Sequence, residues 1–131
     1  MKTLMASYAV ALGVLAVIDA LWLGVVAREF YKSQLGAMLQ DKPIWGVAIL
    51  FYLVHAAGIA VFAVPPSLTA GTWPSALLYG AFFGFCVYGA YDFTNLATLR
   101  GWPWAVSVVD LAWGTVATAT ATVIAFLVVK P

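Results

Sequence analysis

A chain of 131 residues has room for one domain, residues 1–131. Its composition, 65% hydrophobic and 8% charged, with a mean hydropathy of +1.02, excludes a water-soluble core and calls for lipid around the chain. A net charge of +1 provides no basic field for nucleic acid, a single cysteine excludes an internal disulfide, and one histidine leaves no Cys/His zinc spacing.

In chain order, Met1-Lys2-Thr3 opens an apolar run that imitates a signal peptide, but the run is too long and no A-x-A site follows. It reads as a retained first span over residues 3–27, long enough to cross ~30 Å of hydrocarbon at ~1.5 Å per residue. The polar segment from Arg28 to Lys42 comes next. Its Arg28-Glu29-Phe30-Tyr31-Lys32 stretch suits an amphipathic element lying on the lipid surface over the end of the bundle. Pro43 then opens a second span, 44–64, which Pro65-Pro66 are expected to end by removing amide donors. The third span covers 73–99, and Arg100-Gly101-Trp102-Pro103 turns the chain into a fourth, 103–129. Trp45, Trp73, Trp102 and Trp104 fall at span ends, where indole rings favour the lipid–water boundary. The fold class that follows is all-α, an integral membrane four-helix bundle. Arg28, Lys32, Lys42 and Arg100 on one side outnumber Lys2 and Lys130 on the other, which orients both termini away from the cytoplasm.

Asp19, Asp92 and Asp110 each interrupt an apolar span, where an acid costs a few kcal/mol. Each lies about seven or eight residues, roughly 10–12 Å, from the helix end nearest the basic loops, so all three should meet at one depth. Helical spacing aligns Gly80, Gly84, Tyr88, Asp92 and Asn95 on the third span, and Ser107, Asp110, Gly114, Ala117 and Ala121 on the fourth. Gly80-x-x-x-Gly84 is the close-approach pattern of membrane helices, so these two stripes should face each other. On the first span Leu12, Leu15, Asp19, Trp22 and Val26 share a side; on the second, Phe51, His55, Gly58 and Phe62 do so, with His55 several ångströms deeper than the acids. One phrase recurs: Val17-Ile18-Asp19-x-x-Trp22 in the first span and Val108-Val109-Asp110-x-x-Trp113 in the fourth. Any internal symmetry would therefore pair those two helices.

The stretch Tyr91-Asp92-Phe93-Thr94-Asn95-Leu96-Ala97-Thr98, with the later Asp110-Leu111-Ala112-Trp113-Gly114 and the two D-x-x-W phrases, resembles a bacterial family of predicted membrane proteins, domain of unknown function 2177. The resemblance runs nearly the whole length. It implies residence in a bacterial inner membrane and names no reaction.

Three classes of function fit the residues. The first is a membrane binding protein in which a cation, a proton or a polar lipid head group meets Asp19, Asp92, Asp110 and Asn95, with Trp22, Tyr88, Tyr91, Ser107, Trp113 and His55 around them. Asp19, Asp92 and Asp110 are then the candidate ligands of a hard divalent cation such as Mg²⁺ or Mn²⁺, and membrane lipids are the natural partners. The second is an enzyme acting on a lipid, with an aspartate as general acid or base and His55 assisting; a triad of Ser107, His55 and an aspartate is its weakest form. The third is a transporter or channel, which four helices reach only as a homo-oligomer. Beside these stands a structural accessory role, a buried hydrogen-bonded network that sets helix register, in which Arg28 or Arg100 folds back to neutralise the acids.

Overall fold

The computed structural model describes residues 1–131 and contains no strand. Helix α1, Lys2–Leu21, continues as a π-helical turn, Trp22–Val26. Ala27 breaks the helix, and the short α2, Arg28–Leu35, follows. The second span is α3, Trp45–Gly58, a π-helical turn, Ile59–Ala63, and α4, Val64–Ala70. The third and fourth are the unbroken helices α5, Trp73–Thr98, and α6, Trp104–Val129. Four helices of 25 or 26 residues are thus long and apolar enough to cross a membrane.

The second span departs from expectation at Pro65-Pro66, which do not end it. A proline inside a helix lacks the amide donor and drives its ring against the carbonyl four residues back. Here the π turn Ile59–Ala63 widens the backbone at those carbonyls, and the prolines become the opening residues of α4. The helix ends instead at Gly71, whose φ of 77° is the left-handed conformation a C-terminal glycine adopts without steric cost.

The bundle is packed with small residues inside and large apolar ones outside. Alanine is the commonest buried residue, as at Ala11, Ala56, Ala63, Ala117, Ala121 and Ala125, together with Ser7, Ser67, Thr118 and Thr122. Val17, Leu21, Val54, Leu78, Phe82 and Val116 point outward, as befits helices whose solvent is lipid. Cys86 is exposed on the outer face of α5. The tightest seam is α5 on α6, along the two predicted stripes. A β-carbon added at Gly80 would sit 2.6 Å from the Thr122 side chain, and one at Gly84 2.6 Å from that of Thr118. One at Gly114 would enter the ring of Tyr88.

Trp45, Trp73 and Trp104 are 65%, 56% and 69% exposed at span ends, as boundary residues should be. Trp102 differs: it is half-buried, and its indole N–H turns inward to the Ser107 hydroxyl at 2.9 Å.

Candidate functional site

The acids sit at the end of the bundle covered by α2, in a connected polar layer. Asp19, on the last full turn of α1, is buried, and its Oδ1 accepts the Trp113 indole N–H at 2.6 Å. Trp113 stacks on Trp22 with centroids 4.4 Å apart and planes 4° from parallel. Trp22 donates to the Tyr31 hydroxyl at 3.2 Å, and Tyr31 donates to Asp110 Oδ1 at 2.8 Å. Asp110 is the acid that neighbours Asp92.

This geometry explains the repeated D-x-x-W phrase. The first and fourth helices run antiparallel, so the tryptophan one turn beyond each aspartate faces the other helix's acid. Trp113 serves Asp19 directly; Trp22 serves Asp110 through Tyr31. The stacked indoles lie between the two copies of the phrase, and Tyr31 intervenes on only one side. Trp113→Phe keeps the stack but strips the donor from a buried carboxylate. A loss of about 1–3 kcal/mol in unfolding stability is expected, read by denaturant titration in micelles; an unchanged midpoint would deny Asp19 any dependence on that bond.

Asp92 is in a different position. It is 0% exposed, and both of its carboxyl oxygens are buried without a hydrogen-bond partner. Ser107, nearly one turn before Asp110, serves the Asp92 main chain: its hydroxyl donates to the Asp92 carbonyl at 2.8 Å while accepting from Trp102. Arg28 and Arg100 are exposed at the bundle end, so neither arginine folds back to neutralise the pair.

The structure divides the other expected site residues. Tyr88 lies beside the acid layer, its ring over Gly114 and edge-on to His55 at 5.9 Å. Asn95, one turn beyond Asp92, is half-buried. Tyr91 is 50% exposed and packs edge-on against Trp102. His55 belongs to another layer, with Nε2 2.9 Å from Thr118 Oγ1. Ser107 and His55 therefore have separate partners, and no Ser-His-Asp triad assembles. No group of three or more His, Cys, Asp or Glu side chains comes close enough to hold a metal ion. The expected Asp19, Asp92 and Asp110 ligand set is thus not gathered for Mg²⁺ or Mn²⁺: Asp19 is engaged with Trp113, while Asp110 accepts from Tyr31 and neighbours Asp92.

Two residues of the layer escape a reading of the spans. Tyr52, on α3, adjoins Asp19. Tyr31 lies outside the spans, and only the aromatic character of an otherwise polar loop hinted at an inward-facing side chain. Burial, reinforced by the charge of Asp110, pushes the Tyr31 phenol above its ordinary range. A raised phenol keeps its proton when folded. It contributes stability below its unfolded value of about 10 and loses that contribution as pH rises beyond it. Tyr31→Phe is expected to flatten this alkaline loss in thermal melts; an identical decline in mutant and wild type would place the ionising group elsewhere.

A family model described as a predicted membrane protein, domain of unknown function 2177, matches residues 4–127. No curated protein and no solved structure matches the chain. With nearly all of its length covered by that model, the chain belongs to the predicted membrane protein family known as domain of unknown function 2177.

Proposed function

We propose that this is a multi-pass protein of the bacterial inner membrane that binds a proton, replaceable by a small cation, at the Asp92–Asp110 carboxyl pair. Asp92 carries the reading: it is fully buried, lacks any other donor for its two oxygens, and faces a second acid. Two carboxyl groups hydrogen-bond to each other only with a proton between them. An acid kept solely to set helix register would have a protein donor, as Asp19 has in Trp113. The excess of Lys and Arg on the α2 side supports placing that side in the cytoplasm, with both termini opposite. The proton then enters from the cytoplasmic face, past Tyr31.

A second reading draws on a groove of about 620 Å³ between α1 and α3, with Asp19 and Tyr52 in its wall and Leu12, Trp45 and Leu53 among its apolar lining. A membrane lipid whose head group carries a hydrogen-bond donor fits such a surface, with its chain along the leucines.

Dicyclohexylcarbodiimide, which reacts in lipid with protonated carboxyls, tests the first reading. Treatment of membranes at neutral pH is expected to leave an adduct on Asp92 or Asp110, mapped by mass spectrometry. Asp92→Asn should abolish the adduct while lowering stability by less than about 1 kcal/mol, since an amide still donates to Asp110. Unmodified wild-type carboxyls, or equal losses of reactivity and fold, would reduce the pair to a structural feature.

A further inference from the structure

Away from the carboxyl layer, the second and third spans leave a cavity of about 390 Å³ between them, walled chiefly by Phe51, His55, Gly58, Phe62, Phe83 and Val87. It opens sideways toward lipid, because Val61 and Phe62 at its rim are 49% and 67% exposed. Its lining is apolar except for one buried polar ring. His55 is 3% exposed; Nε2 is paired with the Thr118 hydroxyl, and Nδ1 is buried without a partner.

The neighbouring threonines indicate where the imidazole proton sits. Thr115, Thr120 and Thr122 on α6 donate to the carbonyls of Leu111, Val116 and Thr118 in their own helix. Thr118 instead turns its hydroxyl to His55. Thr118 has no carbonyl acceptor of its own, so donation to Nε2 is the arrangement that places its hydroxyl proton. With that assignment the neutral ring carries its proton on Nδ1, a buried donor with nothing to receive it. Flat rings frame it in parallel: Phe51 at 5.3 Å and 12°, Phe83 at 5.6 Å and 8°. An acyl chain brings neither an acceptor for the N–H nor a planar face for the aromatic wall.

We propose that this cavity binds a lipid-soluble ring compound bearing a carbonyl oxygen, the chemistry of a quinone. Its carbonyl accepts the His55 Nδ1–H, and its ring lies among Phe51, Phe62 and Phe83. The site is separate from the carboxyl pair, since His55 bonds to Thr118 and to none of the acids.

Because the chain has one histidine, ¹⁵N-histidine labelling of the full chain in lipid nanodiscs reports this ring alone. The expected spectrum shows Nδ1 protonated and Nε2 accepting. Decyl-benzoquinone should shift Nδ1 saturably, whereas decanol, with the same tail and no ring, should leave it unmoved. His55→Phe is expected to weaken calorimetric quinone binding by about tenfold, the worth of one hydrogen bond in a dry site, and Asp92→Asn to leave it intact. A proton on Nε2, an Nδ1 signal unmoved at saturating quinone, or an equal shift with decanol overturns the proposal. These readouts use the wild-type chain, so they stand even if His55→Phe does not fold.

Discussion

Gly114→Val is expected to cost the bundle about 3 kcal/mol or more, because overpacking of a filled seam forces the backbones apart. The added carbons would occupy the space of the Tyr88 ring, on the seam where Gly84 already meets the Gly114 carbonyl. Tyr88 cannot swing clear cheaply, since it packs edge-on to both Phe51 and His55. Separation of α5 from α6 would also part Asp92 from Asp110, so this one change should abolish carbodiimide reactivity together with stability. Denaturant titration followed by circular dichroism reads the first effect. A valine variant as stable as wild type would mean that the small-residue seam does not limit the approach of these helices.

The second large effect belongs to Asp110, which joins two parts of the site. It accepts from Tyr31 on α2 and faces Asp92 on α5. Asp110→Ala leaves the Tyr31 hydroxyl and the Asp92 carboxyl both without that partner, at an expected cost of about 2–4 kcal/mol. The loss should be non-additive with Tyr31→Phe, since both remove the same bond; a double-mutant cycle is expected to return about 1 kcal/mol of coupling. Limited proteolysis provides a second view. With its hydrogen bond to α6 gone, α2 should be cut between Arg28 and Lys42 in either variant far faster than in wild type. A coupling near zero would show that Tyr31 does not hold α2 over the acids.

How much of this was legible in the sequence varies with the physical range of each interaction. The four spans were visible because lipid imposes a length and a polarity on every crossing, and the charged loops and indole rings mark the crossing points. The shared depth of Asp19, Asp92 and Asp110 came from counting residues, since the rise of a helix is constant. The facing stripes of α5 and α6 followed from helical spacing and the need of close-packed membrane helices for glycine. Pro65-Pro66 misled because the rule against internal proline assumes an α-helical carbonyl four residues back, and the π turn Ile59–Ala63 displaces it. Tyr31 was out of reach of span-based reasoning, because its position over Asp110 depends on the break at Ala27 and the path of α2. The three acids were also expected to act as one set. Their hydrogen-bond partners differ: Trp113 serves Asp19, Tyr31 serves Asp110, and Asp92 has none.

The π turn Trp22–Val26 lies at the junction of these features, between Asp19 and the break at Ala27. Its Trp22 is at once the stacking partner of Trp113 and the donor to Tyr31. A shift of α2 is therefore felt at Asp110 through one hydrogen bond and at Asp19 through the indole stack.

On the proposed function, Asp92 and Asp110 hold one proton between them inside the bundle. Infrared spectroscopy of the protein in lipid at neutral pH tests it most directly. Wild type is expected to show a protonated-carboxyl carbonyl band that disappears in Asp92→Asn and survives in Asp19→Asn. A wild-type spectrum with only ionised carboxylate bands, or a protonated band that Asp92→Asn leaves untouched, would contradict it.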